Sequence, residues 1–444
     1  MPIEVIPFLL LGIAMGTIAG FLPGIGIFAS LMILYPFLSD LTTVNLLVFY
    51  VALASTTQYM GNISSTVFAI PGEVSSLPAV TEGHPMFLQG RGHLAISGCA
   101  IGSFFGSMVV LGITFLSIDY LPEIYKLYGT YEQAVTLLFV VFLVCIFSGS
   151  ILSAVLTASL GYALGIVGCE PLDQTCFATF GNADLTTGLP LISVMCAIYV
   201  IPSLLKSQKF IAPTTTIKIE GYKEQLQQWV NNIGSSIRGT LIGFVAGFTP
   251  GIGTATASNL AYTVEKWLET RKNRYKIGNY RSLISAETAN NAGAFTSLLP
   301  LLVLGIPLVP SEAVLYDLLI SKGVVLGHAF DLSLFYLVAV TLVVTNFLAL
   351  FIAWPMANYV IKIHNINFKY FNLIIIAILT ATIYYSGTQH FQEQYYLLVF
   401  ICLVPVGIAL RNVNTLPLVF LFLLQDRIDS VIPTTVALVK YAFN

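Results

Sequence analysis

The sequence predicts an all-α polytopic integral membrane protein, built from two repeats whose helices are broken or re-entrant at Pro-Gly motifs. Two observations support this prediction: the composition is too apolar for a soluble protein of 444 residues, and one helix-breaking motif occurs twice. Of all residues, 57% are hydrophobic and only 9% are charged, and the mean hydropathy is +0.86. Because a soluble domain is about one-quarter charged, this chain could not cover its own surface with polar groups.

Apolar segments, most of them long enough to cross or enter about 30 Å of hydrocarbon, recur along the whole chain. Counting broken pieces, we expect roughly 10–12 membrane elements. The N-terminus lacks the basic region of a cleaved signal peptide, so we expect the first segment to be retained. These features predict a multi-pass protein of the cell inner (cytoplasmic) membrane. The segments lie at about 5–38, 43–70, 94–117, 133–167, 186–205, 237–262, 286–307, 311–327, 331–361, 371–386, 394–410 and 413–425.

Basic residues are concentrated in two stretches, 206–238 and 266–281, which together hold 11 of the 19 Lys and Arg residues. Short basic loops tend to stay cytoplasmic. If both do, the segment 237–262 enters and leaves on one side, as a re-entrant pair of half-helices; alternatively, one basic loop is external. The expected organisation is a first membrane repeat at 1–205, a basic cytoplasmic connecting loop at 206–236, and a second membrane repeat at 237–444.

An internal repeat is the most informative feature of the sequence. Residues 16–35 read GTIAGFLPGIGIFASLMILY and residues 243–262 read GFVAGFTPGIGTATASNLAY, with nine of 20 positions identical and no gap. Each half then carries a small-polar segment that ends in Ile-Pro, at Pro71 and at Pro307. Repeats of this kind are typical of transporters that bind substrate at the repeat interface. An odd number of crossings between the copies would make the repeats inverted, which we favour.

The shared Pro-Gly-Ile-Gly must interrupt a helix, because proline removes a backbone donor and glycine permits non-helical angles. The helix that follows offers free N–H groups and a partial positive charge, which suit a carboxylate. In the second copy, Thr254, Thr256 and Ser258 make this helix start polar, whereas Ile27 and Phe28 make the first copy apolar. The second copy is therefore the stronger candidate for anion binding. The alternative is a pair of kinks needed only for packing.

Two polar segments complete the candidate site. Glu287, Asn290 and Asn291 stand at i, i+3 and i+4 and share a helix face, so they could bind a cation or carry a proton; alternatively, Glu287 lies at the interface and merely begins a helix. In the first half, 56–66 is rich in hydroxyls and amides, although small hydroxyls also pack helices together. The candidate substrate-binding residues are Pro23, Gly24, Gly26, Ser30, Asn62, Ser64, Ser65, Pro250, Gly251, Gly253, Thr254, Thr256 and Ser258.

Several other chemistries lack support. The six cysteines are scattered without a Cys-x-x-Cys, so we interpret them as small core residues rather than disulfides or metal ligands. No hydrolase motif and no P-loop lysine occur, so neither an enzyme nor ATP-driven transport by this chain alone is expected, and no cofactor or nucleic acid partner is implied. We expect the charged residues between the first Ile-Pro and His93 to be mostly solvated. They are Glu73, Glu82, His84, Arg91 and His93.

Over about residues 10–320, the motifs resemble the large permease subunit of the tripartite tricarboxylate transporter family. The resemblance rests on G-F-L-P-G-I-G, Y-M-G-N-I-S-S-T-V-F-A-I-P-G, G-F-T-P-G-I-G-T-A-T-A-S-N-L-A-Y and A-E-T-A-N-N-A-G, in that order. The chain departs from the family pattern at Leu308 and Glu73, which changes the expected pocket. The main rival interpretation is a channel or a structural membrane subunit without coupled transport.

The resemblance implies secondary active transport of a small organic anion, of the di- or tricarboxylate class, coupled to a sodium or proton gradient. The Pro-Gly breaks and the two polar segments would then line the substrate and ion sites. Besides the lipid bilayer, the implied partners are a small membrane subunit and a periplasmic binding protein. The sequence leaves open whether these subunits are needed and whether the chain forms a homodimer.

Overall fold

The computed structural model describes residues 3–22, 25–69, 74–120, 150–169, 176–205, 221–250, 253–324, 332–360 and 368–425, with scattered positions between 121 and 149. The described chain is helical apart from loops and one antiparallel hairpin, β1 (Gly168–Cys169) and β2 (Cys176–Phe177). The longer helices are α1 (Ile6–Phe21), α2 (Gly26–Asp40), α3 (Thr43–Phe68), α4 (Gly92–Leu116), α5 (Ile151–Gly165), α6 (Leu191–Met195), α7 (Ile201–Leu205), α8 (Tyr222–Val230), α9 (Ile233–Ala246), α10 (Gly253–Arg271), α11 (Tyr280–Leu304), α12 (Pro310–Ser321), α13 (Leu332–Val360), α14 (Phe368–Gln389), α15 (Glu393–Ala409) and α16 (Leu416–Leu423).

Three helical stretches of the described chain are long and apolar enough to cross a bilayer, namely Ile3–Phe21, Ala79–Leu116 and Leu332–Met356. Shorter apolar helices accompany them at Gly26–Asp40, Ile151–Gly165, Leu191–Val200, Ile233–Ala246 and Glu393–Ala409. The predicted all-α architecture with several apolar helices is therefore confirmed. Helix α8 lies within the segment expected to connect the two halves.

Each half contains the same close helix contact. In the first half, Gly12, Gly16 and Gly20 of α1 lie against backbone carbonyl oxygens of α3, so that a Cβ at Gly16 would meet Leu53 O at 2.6 Å. In the second half, Gly239, Gly243 and Gly247 of α9 lie in the same way against α11, and a Cβ at Gly243 would meet Ala289 O at 2.5 Å. Small residues let the backbones approach closely, which is how helices without a hydrophobic driving force associate in lipid.

The two long polar helices also end alike. Helix α3 ends at Ala69 (φ 55°) and α11 ends at Gly305 (φ 67°), both in the left-handed conformation and both directly before an Ile-Pro pair. A left-handed residue stops the helix and turns the chain. Glycine adopts this conformation without strain, whereas alanine is strained by roughly 1–2 kcal/mol. The two helices therefore stop in the same way, although the stopping residues differ in type.

Helix α4 of the first half and helix α13 of the second half each pack on the other half. Asn291 of α11 donates to Ser103 Oγ of α4 at 2.6 Å, and Asn346 of α13 donates to Ser55 Oγ of α3 at 3.2 Å. Helices α4 and α13 also meet each other through Phe104 and Phe347, whose ring centroids are 4.9 Å apart. The end of α4 meets the start of α13 through two further aromatic contacts, so α4 and α13 run antiparallel. These contacts join Phe115 to Phe335 and to Tyr336.

Helices α9 and α10 form a hairpin whose open ends are held together by charge. Arg238 near the start of α9 makes a salt bridge of 2.7 Å to Glu265 near the end of α10, and Ser235 donates to the same carboxylate. Arg281 bridges to Glu269 one turn further on. The chain therefore enters and leaves this hairpin at one end of the molecule, the end that carries the basic stretch 266–281.

The segment expected to be mostly solvated is instead helical, over Ala79–Gly83, His84–Met86 and Phe87–Arg91. That expectation is wrong for Glu82 and His93, which are 0% and 1% exposed. Glu82 accepts hydrogen bonds from Tyr262, from Tyr275 and from two backbone N–H groups of the 278–279 turn. Four donors offset the loss of water around a buried carboxylate. Burial and the Glu82 carboxylate raise the pKa of Tyr275, so the phenol remains a donor.

Cys169 and Cys176 form a disulfide, so the interpretation of all six cysteines as core residues is wrong for this pair. The hairpin of β1 and β2 places them directly opposite each other, which the sequence spacing alone did not reveal. The hairpin lies at the start of the α6–α7 segment, where Tyr395 of α15 donates to Gly188 O at 2.9 Å. At the other end of that segment, Asn372 of α14 donates to Leu204 O at 2.6 Å, immediately before the basic stretch begins.

Candidate functional site

A small cavity lies where the two halves meet, near the middle of α3. It has room for about one water molecule and is bordered by the end of α1, the start of α2, α3, the turn after the first Ile-Pro, and α11 of the second half. Its lining consists of glycines and of residues with hydroxyl or amide side chains. The lining residues are Gly20, Gly26, Thr57, Gln58, Gly61, Ser75, Ser76 and Asn290.

Three side chains beside this cavity form what we call the polar cluster: Asn62, Glu287 and Asn290. All three are at most 1% exposed. The Glu287 carboxyl group faces the amides of Asn62 and Asn290, yet neither of its oxygens has a hydrogen-bond partner of normal geometry among the described residues. Both polar atoms of Asn62 and Oδ1 of Asn290 are also without partners there.

An unpartnered cluster of this kind is costly to maintain. Each buried polar group without a hydrogen bond costs about 1–3 kcal/mol, and a charged group costs more. Native structures rarely keep several such groups together unless water, an ion or a ligand satisfies them. Glu287 lies in the third turn of α11 and is completely buried, so it is not a residue that merely begins a helix at the interface. The polar cluster therefore has the character of a binding site.

Asn291 points away from the polar cluster, although the sequence places it on the same helix face as Glu287. Its amide donates to Ser103 Oγ at 2.6 Å and to the backbone oxygen of Glu287 at 3.3 Å. Successive helix residues differ by about 100° in direction, since an α-helix has 3.6 residues per turn. Asn290 therefore lines the cavity while Asn291 links α11 to α4.

The structure gives the predicted residues of the first half different surroundings. Pro23 and Gly24 lie outside the described residues, and Gly26 lines the cavity. Ser30 donates to Gly26 O at 2.7 Å, and Ser64 donates to Gly20 O at 3.2 Å. These two hydroxyls support the helix ends around the break rather than face the cavity. The buried hydroxyl of Ser65 has no partner among the described residues.

In the second half, Gly251 lies outside the described residues, whereas Pro250 and Gly253 are buried. Thr254 and Thr256 are half-buried. Ser258 is fully buried and donates to Ser75 O at 2.7 Å, which ties α10 to the turn that borders the cavity. The cavity lining comes from the end of α1, the start of α2, the middle of α3, the turn that holds Ser75 and Ser76, and α11, so α10 contributes to the site through this one contact.

Sequence reasoning missed the function of Glu312. Its carboxylate accepts from Ser297 Oγ at 2.7 Å, Leu308 N at 2.8 Å and Val309 N at 3.2 Å, and thereby closes the second Ile-Pro junction. The proline at the first helical position and the glutamate at the third are recognisable signals of a helix start, although Val309 lacks the side-chain oxygen of a complete capping box. Glu312 thus fixes the turn that separates α11 from α12.

The cavity residues Thr57, Gln58, Ser75 and Ser76 were also outside the predicted set. The hydroxyl-rich stretch 56–66 signalled the first two, but nothing in the sequence showed that Ser75 and Ser76 turn back onto α3. In the described part of the chain, no three His, Cys, Asp or Glu side chains lie close enough to hold a metal ion. The carboxylate and amide oxygens of the polar cluster suit a hard cation instead.

Comparison with known proteins gives the family of the chain. A sequence model of the tripartite tricarboxylate transporter TctA family matches residues 6–421, nearly the whole chain. The chain belongs to the TctA family. Membership places the chain in a family of transporters.

Relatives of this TctA-family chain include two proteins of Agrobacterium vitis. An uncharacterised 52.8 kDa protein from the TAR-I ttuC′ 3′ region is 28% identical over 368 residues, covering 81% of this chain and 72% of the relative. An uncharacterised protein from the TAR-II ttuC′ 3′ region is 32% identical over 130 residues, covering 29% of this chain and 54% of the relative. An uncharacterised protein of Methanocaldococcus jannaschii is 23% identical over 419 residues, or 92% and 94% of the two chains. No solved structure matches the chain.

Proposed function

We propose that this chain is a secondary active transporter of a small organic anion, of the di- or tricarboxylate class, and that a sodium or proton gradient drives it. The observation that carries the proposal is the polar cluster, which is buried between the two halves and unpartnered beside a polar cavity. Membership in the TctA family supports the transport class. A purely structural subunit would have no reason to keep a buried carboxylate unsatisfied.

The cation is assigned to the polar cluster. Glu287 supplies a carboxylate, and Asn62 and Asn290 supply amide oxygens from opposite halves of the chain. Such oxygens bind sodium, and the carboxylate alone can carry a proton. In either case the bound cation neutralises a buried charge whose cost at the bilayer centre is at least about 2.5–3.5 kcal/mol. Binding of an anion next to this carboxylate is therefore favourable only when the cation is present, as coupled transport requires.

The anion is assigned to the region of the adjacent cavity, which has room for only about one water molecule in this structure and must widen to admit a di- or tricarboxylate. Gly26 lies at the start of α2, where unpaired backbone N–H groups and the helix dipole favour negative charge. Ser75 and Ser76 add hydroxyl groups. A carboxylate at this position would lie next to a cation at the polar cluster, so each ion would strengthen the binding of the other. The first break is the principal anion site in this proposal, with the second break supporting it through Ser258.

We further propose that the two halves are inverted relative to each other in the inner membrane. The antiparallel contact of α4 and α13 supports this, because equivalent helices then cross the membrane in opposite directions. The orientation follows from two independent signals. Basic stretches favour the cytoplasm, and disulfides persist in oxidising compartments such as the periplasm. The Cys169–Cys176 hairpin would face the periplasm and the stretches 206–238 and 266–281 the cytoplasm.

The same proposal includes two partner subunits, a small membrane protein and a periplasmic binding protein. The tripartite name of the family supports them. In this arrangement the binding protein delivers the anion on the side of the disulfide hairpin. Transport should then depend on the binding protein more strongly at low than at high substrate concentration.

Uptake by proteoliposomes tests the proposed function. The purified chain, with and without partner subunits, is reconstituted and offered labelled di- and tricarboxylates under an inward sodium gradient, an inward proton gradient or neither. Concentration of one of these anions above the external level under one gradient, and only equilibration without it, is the expected result. Flux that never exceeds equilibration would indicate a channel, and no gradient-dependent flux with all subunits present would refute transport.

A further inference from the structure

Two hydrogen bonds join the halves of the molecule at equivalent places. Tyr35 of α2 donates to Asp317 Oδ2 of α12 at 2.8 Å, and Tyr262 of α10 donates to Glu82 Oε1 at 3.1 Å. Tyr35 and Tyr262 occupy the same position of the internal repeat. Glu82 and Asp317 follow the Ile-Pro of their own halves by 11 and 10 residues, respectively. Each contact thus links the helix after a Pro-Gly break to the segment after the other half's Ile-Pro.

The two contacts lie at opposite ends of α3. This helix begins at Thr43, shortly after α2 ends, and the Tyr35 contact lies near that end. At the other end, Thr66 O contacts His84 Nδ1 at 3.0 Å, two residues from Glu82. A helix of 26 residues is about 39 Å long, which is close to the thickness of a whole bilayer.

The proposed binding site lies between the two contacts. The cavity borders α3 at Thr57, Gln58 and Gly61, roughly in its middle. Gly26 lines the same cavity and lies nine residues before Tyr35, about 14 Å along α2. In the matching helix α10, Ser258 donates to Ser75 O of the cavity lining and lies four residues before Tyr262, about 6 Å along the helix. Each tyrosine therefore lies further along its helix than the residue that meets the site.

We propose that the Tyr35–Asp317 and Tyr262–Glu82 contacts are the two gates of the transporter, one on each side of the membrane. The inference rests on the proposed transport function, in which the central site must be reached from one side at a time. Breaking one contact lets the helix after a break move away from the opposite half and opens a path on that side only. Both contacts are made in this structure, which corresponds to an occluded conformation.

The contacts suit such a gate because each is a single bond that can be remade. A phenol hydroxyl on a carboxylate is a charge-assisted hydrogen bond, stronger than a neutral one. The Tyr262 hydroxyl also accepts from Lys266 Nζ at 3.1 Å, but both residues belong to α10 and would move together. Around Glu82, the donors Tyr275, Gly278 N and Asn279 N remain when Tyr262 leaves. At the other end, Lys322 also donates to Ser39 O across the same two helices.

Side-specific labelling of a cysteine in the cavity tests the proposal without any substrate. Ser76→Cys is the reporter, in a chain whose four free cysteines are replaced and whose disulfide is kept. A membrane-impermeant thiol reagent is applied to right-side-out and to inside-out vesicles. Tyr262→Phe should raise the labelling rate about tenfold in inside-out vesicles only, since one hydrogen bond to a charged group is lost. Tyr35→Phe should do the same in right-side-out vesicles only.

Tyr395→Phe is the matched control, because it removes a phenol hydrogen bond of similar length, to Gly188 O, that also joins the two halves but belongs to neither proposed gate; it should change neither rate. Asp317→Asn weakens the Tyr35 contact from its other partner and should open the same face as Tyr35→Phe, so the test survives if one variant does not fold. Labelling that is unchanged by both tyrosine variants, or raised from one face by both, would overturn the proposal. If carboxylates are taken up but labelling is unchanged in both tyrosine variants, the gates are refuted and the transport function is not. If labelling is side-specific but no carboxylate is taken up, the transport function is refuted and the two contacts still control access to the cavity.

Discussion

Replacing Gly243 by alanine should destabilise the protein strongly, although the change adds only one methyl group. The new Cβ would lie 2.5 Å from Ala289 O, 2.8 Å from Ala292 Cβ and 2.9 Å from Ala289 Cα. Carbon–oxygen contacts are comfortable at about 3.3–3.6 Å, so α9 and α11 must separate by about 1 Å. Since the clashing atoms belong to backbone and Cβ, no side-chain rotation relieves them. Overpacking typically costs about 1–3 kcal/mol, and we expect the upper end.

Gly112 provides the control for this experiment. It lies in α4, is exposed, and a methyl group added there would have no neighbouring atom within 4 Å. Gly112→Ala should therefore leave stability unchanged or raise it by up to about 1 kcal/mol, because alanine loses less backbone freedom in a helix. Thermal or denaturant unfolding in detergent micelles measures both variants side by side. Equal stability of Gly243→Ala and Gly112→Ala would refute the close contact between α9 and α11.

Three other outcomes are expected. Asn62→Ala should raise the concentration of coupling cation needed for half-maximal uptake by about tenfold, since one ligand of the site is lost. Asn291→Ala, the control, should change that concentration less than about twofold, and equal shifts in the two variants would contradict the assigned polar cluster. Glu312→Gln should lower the free energy of unfolding by about 1–3 kcal/mol, because an amide cannot accept from all three donors as a carboxylate does, and unchanged thermal unfolding would show that the junction does not depend on it. Cys169 and Cys176 should react with an impermeant thiol reagent on intact cells only after reduction; reaction without a reductant would argue against the disulfide, and no reaction after reduction would argue against the periplasmic placement.

The helical membrane fold could be predicted from the sequence, because scarce charge and long apolar segments are properties that each stretch of chain shows by itself. The glycines that precede the two Pro-Gly motifs were inside the aligned repeat, so their equivalence could also be found. Their partners on α3 and α11 could not be found, because a stripe of small residues does not indicate which helix packs against it. The disulfide was hidden for a similar reason: only the hairpin between β1 and β2 makes Cys169 and Cys176 neighbours.

The candidate site was predictable in part. Glu287 and Asn290 stood out as polar residues in an apolar helix, and Asn62 stood out separately. The distance between Asn62 and Glu287 in the sequence gives no hint that they meet, since the contact is made between halves. Asn291 could not be assigned without the helix rotation that points it at Ser103. The buried position of Glu82 was likewise invisible, because its donors come from a turn almost two hundred residues later.

The close glycine contacts recur in the same order along the chain: Gly12 and Gly16 of α1 lie on α3, and Gly239 and Gly243 of α9 lie on α11. This repeated packing sets where the helices lie, but not which side chains they carry. Counted back from Pro71 and Pro307, Glu287 corresponds to Val51 and Asn62 to Leu298. The positions that match these two members of the polar cluster are therefore apolar, so they offer no second place for a charged ligand.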